Sequence, residues 1–167
     1  MKKITKIILP ILGLFIWSSS FVLLNPESST QQYKCMVQLK NYRGHGAYII
    51  VSVLDKNKEY VKTLRVLGDD EEWYPDLSEW WSFRSKNDKP DIDGITGATI
   101  AGGERSIFVL EIDEALIGEG NSLRFETAVE DQEYHTTDLE VPMTKEALNG
   151  TFEGSGYIRY VRMIANK

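Results

Sequence analysis

The sequence predicts an all-β fold, a sandwich of about seven strands. Three observations support this prediction. Short runs rich in strand-forming residues recur along the chain, turn signals separate them roughly every 8 to 15 residues, and only one segment favours a helix. This strand number and turn spacing are typical of an Ig-like β-sandwich, although the Cys–Trp–Cys pattern of antibody domains is absent. A chain of 167 residues, 42% of them hydrophobic, is long enough to bury one core.

The predicted strands begin at residue 33 and end at residue 164. AYIIVSVLD is the most strand-like run, and the polar DKNK turns it back into EYVKTLRVL, which predicts a β-hairpin. WYPDLSEWWSF interrupts the pattern and predicts a short helix over residues 76–83, with Asp76 or Ser78 as its cap. The full set of predicted strands is 33–40, 47–55, 59–67, 105–113, 121–131, 134–143 and 154–164.

The first 25 residues are predicted to lie outside this fold. MKKITK is positively charged, and residues 7–24 form an uncharged apolar run that would span about 27 Å as a helix, near the hydrocarbon thickness of a bilayer. The run suits an N-terminal membrane anchor with its lysines inside, and the serines at 18–20 alternatively suit cleavage of a secretory signal. Either interpretation places the body outside the cytoplasm. The predicted organisation is an anchor or signal peptide (1–25), a linker (26–32) and an extracytoplasmic domain (33–167).

Charge and cysteine content exclude several classes of function. Without Lys2, Lys3 and Lys6, the only charges before Glu27, the net charge falls from −6 to −9. Such an acidic body repels phosphate backbones, so we expect no nucleic-acid partner. The single thiol of Cys35 forms no internal disulfide and is predicted to be a small apolar residue of the first strand. No spacing of histidines, cysteine and carboxylates suggests a metal site.

An aromatic cluster surrounds the predicted helix. It consists of Trp73, Tyr74, Trp80 and Trp81. Such large side chains serve as core anchors, and they can also form a stacking surface for a flat ligand or a partner. Of the adjacent pair Trp80 and Trp81, we expect at least one to point outward.

The segment PDIDGITGATIAGGE carries the strongest functional signal. It has few large side chains, and its glycines and threonines suit a flexible connection between strands. A second interpretation is that another enzyme modifies the Thr99 hydroxyl. Gly97 and Ala98 would let the backbone approach that enzyme, and Asp93 would orient the segment or contact a metal held by the enzyme. A lone threonine is inert, so the modifying enzyme would supply the base.

DGITGAT, residues 93–99, resembles the acceptor motif of proteins flavinylated by ApbE-type flavin transferases, Asp-Gly/Ala-x-Ser/Thr-Gly-Ala-Thr. That motif occurs in FMN-carrying subunits of membrane redox complexes. The resemblance implies FMN, taken from FAD, joined by a phosphoester to Thr99. The positions that match are Asp93, Gly94, Thr96, Gly97, Ala98 and Thr99. Many acceptors carry another Ser/Thr two residues after the modified one, where this chain has Ala101.

A second resemblance covers residues 47–108. AYIIVSVLDKNKEYVKTLRVLG, WYPDLSEWW and the TGAT stretch are similar to a domain-of-unknown-function family of predicted periplasmic proteins. Members of that family often occur with PepSY-type membrane reductases. The resemblance implies export and an Ig-like β-sandwich, in agreement with the strand pattern.

Three functional hypotheses follow. The first is an extracytoplasmic, membrane-anchored flavoprotein electron carrier that serves a PepSY-type reductase, with FMN on Thr99 and Tyr74, Trp80 or Trp81 shielding or stacking on the flavin ring. The second is a cofactor-free Ig-like accessory or scaffold subunit of a membrane complex. The third is a sandwich that binds a ligand on the surface of residues 73–81.

Overall fold

A computed structural model describes residues 29–86 and 93–166. In this part of the chain nine β-strands form two sheets, accompanied by one α-helix and four short 3₁₀ helices. The strands are β1 (Thr30–Leu39), β2 (Tyr48–Leu54), β3 (Tyr60–Leu67), β4 (Thr96–Gly97), β5 (Arg105–Asp113), β6 (Ser122–Ala128), β7 (Tyr134–Pro142), β8 (Thr151–Phe152) and β9 (Ile158–Ala165). The predicted N-terminal anchor or signal, residues 1–25, lies outside the described residues.

One sheet has four antiparallel strands in the order β5-β1-β9-β8. Its first strand starts at Thr30, three residues before the predicted start, because residues 30–32 already pair with the end of β5. Along β5, Phe108, Leu110 and Ile112 are buried while the intervening Ile107 and Val109 are exposed. This period of two turns one face of the sheet toward the core.

The other sheet has five strands in the order β4-β3-β2-β6-β7. β2 and β3 form the predicted hairpin, and Asp55 Oδ1 stabilises its turn by accepting hydrogen bonds from Asn57 N (2.7 Å) and Glu59 N (2.9 Å). Every residue of the central strand β2 is buried, since this sheet is covered on both faces. β4 is a two-residue parallel addition to the end of β3.

The main core lies between the two sheets. It includes Cys35 and Val37 from one sheet and Val51 and Phe125 from the other, all with no exposed surface. Cys35 is thus the buried apolar residue that the sequence predicts, and burial raises the pKa of its thiol to about 12. The mostly β, two-sheet architecture of the prediction is confirmed.

A second cluster covers the outer face of the five-stranded sheet. A 3₁₀ helix, Glu71–Asp76, capped by the Asp70 side chain, leads into helix α1, Ser78–Lys86. The helix begins and ends later than predicted because the 3₁₀ turn, with Pro75 inside it, occupies the residues before Ser78. The cluster contains Tyr48, Ile50, Val66, Tyr74, Leu77, Trp80 and Ala128.

Asp138 links the two sheets. Its carboxylate, on β7, is 2% exposed and accepts hydrogen bonds from Thr127 Oγ1 (2.6 Å), Gly156 N (2.7 Å) and Ile158 N (2.9 Å). Gly156 and Ile158 lead into β9 of the opposite sheet. An acceptor in this position satisfies backbone amide groups where the chain leads into the opposite sheet.

All seven predicted long strands are present, with ends that shift by a few residues. The largest shift is in the last strand, which begins at Ile158 rather than at residue 154. The preceding glycine-rich residues bend to meet Asp138 and therefore form no ladder. The two-residue strands β4 and β8 were not predicted, since so short a segment has no periodicity to read.

Candidate functional site

The acceptor segment, residues 93–100, lies along the edge of the five-stranded sheet. A 3₁₀ turn, Asp93–Ile95, precedes β4, and Thr96 and Gly97 pair with Val66 and Leu67 of β3. After Thr99, Ile100 forms an antiparallel bridge with Ala47. The segment is therefore tied to the sheet at two points instead of being the free connection that its composition favours.

Exposure varies along the acceptor segment. Gly94 and Ala98 are exposed, whereas Thr96, Gly97 and Thr99 are partly exposed. The two isoleucines serve as anchors, since Ile95 packs on the outer cluster and Ile100, 4% exposed, belongs to the main core. The Asp93 side chain lies outside the described part of the structure. The motif is thus presented at the surface between two apolar anchors.

Tyr74 connects the acceptor segment to the outer cluster. Its hydroxyl donates a hydrogen bond to Gly68 O (2.9 Å), at the end of β3. Burial raises the pKa of Tyr74, and a hydrogen bond with the Thr96 side chain acts in the opposite direction. Thr96 is therefore held from the outer face of the sheet, which fixes the start of the motif.

Thr99 faces the loop between β1 and β2. A Cβ built on Gly46 would overlap the Thr99 hydroxyl and would lie 2.7 Å from Thr99 Cβ. On the same side, the Tyr42 hydroxyl donates to Ile100 O (2.8 Å). The loop residue Gly46 is thus a direct neighbour of the predicted acceptor oxygen, and only a residue without a side chain fits there.

The three aromatic candidates differ in burial. Trp80 has no exposed surface and donates from Nε1 to Thr63 Oγ1 (2.9 Å), and Tyr74 is 1% exposed. Their rings meet edge-on, with centroids 5.1 Å apart. Both are core anchors whose faces are covered, so neither is available to stack on a surface flavin in this conformation. Trp81 is partly exposed, as expected for one member of the pair, and its ring centroid is 6.4 Å from that of Tyr74.

The two sides of the acceptor segment differ in charge. On the side of the outer cluster, Asp69 and Glu71 line a cavity of about 270 Å³ with Tyr74, Thr96 and Gly97. On the other side, Lys62 and Arg65 of β3 line a cleft of about 320 Å³. The first side presents two carboxylates, whereas the second presents two basic side chains and the single carboxylate of Glu111, so a negatively charged group is favoured on the second side.

Arg65 was missed by the sequence analysis. A Cβ on Gly97 would come within 2.9 Å of Arg65 Nη2, and the guanidinium carbon lies 5.5 Å from the centre of the Phe108 ring. Arg65 Nε is buried and has no hydrogen-bond partner among the described residues. Arg65 precedes the first residue of the motif by 28 positions, so no local signal marks it.

A buried carboxylate forms a second group of titratable side chains beneath helix α1. Glu126 has no exposed surface and accepts hydrogen bonds from the hydroxyls of Tyr60 (2.7 Å) and Tyr134. Burial raises the pKa of Glu126 to about 7, while the two phenols and Arg124 oppose the shift. The strand alternation places Glu126 opposite the main core, and the outer cluster then covers it.

Neither histidine is buried. His45 lies in an exposed loop, with Nδ1 3.7 Å from a Glu130 carboxylate oxygen. His135 is partly exposed and meets the Tyr157 ring edge-on. Within residues 29–86 and 93–166, no group of three or more His, Cys, Asp or Glu side chains is arranged to hold a metal ion. No helix among the described residues has the length and apolarity needed to cross a membrane.

One protein family matches most of the described chain. Residues 30–160 match the family described as predicted periplasmic protein (DUF2271). The chain belongs to this family, which confirms its resemblance to a domain-of-unknown-function family of predicted periplasmic proteins. The match supports an extracytoplasmic location. Comparison with curated proteins and with solved structures gave no match.

Proposed function

We propose that this protein is an extracytoplasmic flavoprotein electron carrier, with FMN attached covalently to Thr99 by an ApbE-type flavin transferase. One observation carries the proposal. The complete acceptor motif of residues 93–99 lies at a sheet edge, where Ala98 is exposed and Thr99 partly so. A motif enclosed between the sheets would be out of reach of a second enzyme.

The chain's own contribution to the attachment is the Thr99 hydroxyl. Thr99 Oγ1 would form a new bond to the FMN phosphorus of FAD, the bond between the two phosphates would break, and AMP would leave. The transferase would supply the base that takes the hydroxyl proton, because a threonine hydroxyl is unreactive without one. Small residues on both sides of the acceptor suit this reaction, since they let another protein's backbone come close.

Access to Thr99 requires a local movement. Gly46 lies against the hydroxyl, so residues 43–46 or the acceptor segment must shift before a transferase can enclose the threonine. Such a movement is inexpensive where few groups are paired, and β4 contributes only two residues to its sheet. The two-residue strand is consistent with a segment that opens for modification and then closes.

The finer features of the hypothesis rest on this carrier role. We propose that residues 1–25 tether the domain to the membrane and that the partner is an integral membrane PepSY-type reductase. When bound, FMN supplies the redox chemistry, and the protein positions it and sets its potential. Of the three aromatic candidates Tyr74, Trp80 and Trp81, Trp81 alone retains exposed surface, and it packs on the outer cluster. We also propose that the two-sheet fold is an Ig-like sandwich.

Intact-mass spectrometry of the full chain, co-expressed with an ApbE-type transferase, tests the proposal. The wild-type chain should gain the mass of FMN less one water, and Thr99→Ala should not. Thr151→Ala, at an exposed threonine of β8, is the matched control and should be modified normally. An unmodified wild-type chain in a cell that modifies a known acceptor would exclude the carrier role and favour a cofactor-free accessory subunit.

One cavity favours ligand binding as a second candidate function. About 290 Å³ in volume, it lies beside Trp73 and is also lined by Leu77, Tyr134, Glu130 and Asp131. The apolar wall and acidic rim suit an apolar ligand that carries a positive charge. Quenching of tryptophan fluorescence by such a ligand, unchanged in Thr99→Ala, would support this function over the carrier role.

A further inference from the structure

The cleft between β3 and β5 separates the free edges of the two sheets. It is lined by residues 62–65 of β3, the Gly94–Ile95 turn of the acceptor segment, Val109 and Glu111 of β5, and Gln32 of β1. β4 pairs only with the last two residues of β3, so the rest of that edge remains open. The cleft therefore begins at the acceptor segment and follows the β3–β5 edge, where its β5 wall consists of residues that face away from the main core.

The chemistry of the cleft matches a phosphate-linked flat ring. Lys62 and Arg65 supply positive charge, and the nearby carboxylate of Glu111 accepts a hydrogen bond from Gln32 Nε2 (3.0 Å). Ile95 and Val109 provide apolar surface, and the Val109 side chain is 45% exposed although it is hydrophobic and lies in a strand. The volume of about 320 Å³ falls within the range of pockets for cofactor-sized ligands.

Arg65 stands at the end of the cleft that is nearest to Thr99. Its Nη2 lies under Gly97, two residues before the acceptor, and its Nε is a buried donor with no partner among the described residues. The planar guanidinium offers two parallel donors, which suit two phosphate oxygens.

We propose that the β3–β5 cleft holds the flavin carried by Thr99, with Arg65 paired to its phosphate and Val109 against its ring. This inference rests on the proposed attachment at Thr99. The alternative position on the other side of the segment is disfavoured, because Asp69 and Glu71 there would face the phosphate charge. A substitution at Arg65 should therefore release the flavin from the cleft without removing it from the chain.

Quenching of the attached flavin's fluorescence by acrylamide, a neutral quencher, measures whether the ring is sheltered. The full chain is co-expressed with an ApbE-type transferase, and attachment is first quantified by intact mass. Loss of a charge-assisted pair should shift the ratio of sheltered to exposed flavin by about tenfold in Arg65→Gln. Arg162→Gln, at an exposed arginine of β9, is the matched control and should quench like the wild type.

The two proposals fail in different ways. An unmodified wild-type chain overturns the attachment itself. A modified chain whose flavin is quenched equally in the wild type, Arg65→Gln and Arg162→Gln overturns the cleft assignment and leaves the attachment standing. If Arg65→Gln prevents attachment, two other variants replace it in the quenching experiment. Arg65→Lys keeps the positive charge but loses the planar guanidinium, and Val109→Asp places a charge on the apolar wall of the cleft. Unchanged quenching in both of these also overturns the assignment.

Discussion

Replacing Glu126 with glutamine should stabilise the protein above neutral pH and leave its stability nearly unchanged in acid. Glu126 lies on β6 beneath helix α1, and titratable or charged groups face it from every neighbouring element. They are Tyr60 on β3, Tyr134 on β7, Arg124 on β6 and Glu79 on α1. Glutamine keeps the shape of the protonated acid, and both phenols can exchange donor for acceptor roles with an amide.

The magnitude follows from the shift in the Glu126 pKa, from its ordinary 4.5 to about 7 in the folded protein. The folded state binds this proton more tightly than the unfolded state does. The free energy of unfolding therefore falls as the pH rises from 4.5 to 7, and the loss is complete above pH 7. At about 1.4 kcal/mol per pKa unit, the charged carboxylate lowers the free energy of unfolding by about 3 kcal/mol at pH 8. Glutamine removes that loss, because it has no proton to release.

Urea denaturation of the wild type and Glu126→Gln at pH 5 and pH 8 measures this difference. The variant should exceed the wild type by about 3 kcal/mol at pH 8 and by less than about 1 kcal/mol at pH 5. Glu153→Gln, at an exposed position, controls for loss of surface charge and should follow the wild type at both values. A variant that is less stable at pH 8, or one with the same advantage at both values, would refute a buried carboxylate that titrates near neutrality.

Two further predictions concern the acceptor edge and the link between the sheets. Gly46→Ala should reduce flavin attachment severalfold, as measured by mass spectrometry, because the new Cβ would overlap the Thr99 side chain. Gly94→Ala is the control and should be modified normally, since its Cβ would meet nothing within 4 Å. Equal modification of the two variants would contradict the contact between Gly46 and Thr99. Asp138→Ala should lower the free energy of unfolding by about 3 to 5 kcal/mol in urea, since it removes the acceptor of the buried Ile158 amide, the buried Thr127 hydroxyl and the part-buried Gly156 amide, whereas a loss below about 1 kcal/mol would show that the carboxylate is dispensable.

Local patterns in the sequence predicted the long strands but not the neighbours of the motif. Along β6, Leu123 and Phe125 alternate with polar residues and face the main core, and the polar DKNK turn predicted the hairpin of β2 and β3. The same alternation places Glu126 on the face of the sheet opposite the main core. The burial of Glu126 depends on helix α1 covering that face, which the strand pattern does not predict. Contacts between distant residues, such as that of Arg65 with Gly97, arise from sheet order, and no periodicity encodes them.

The acceptor segment combines firm anchoring at its ends with weak pairing in its middle. Ile95 and Ile100 pack into the outer cluster and the main core, whereas the residues between them are held by the short ladder to β3, the hydrogen bond of Thr96 with Tyr74 and the contact of Thr99 with Gly46. Apolar anchors resist displacement by about 25 cal/mol for each Å² they bury, while a two-residue edge strand opens at little cost. Thr99 can therefore reach a transferase while the anchors stay in place. On closing, Thr99 returns against Gly46, two residues along the chain from the contact of Gly97 with Arg65.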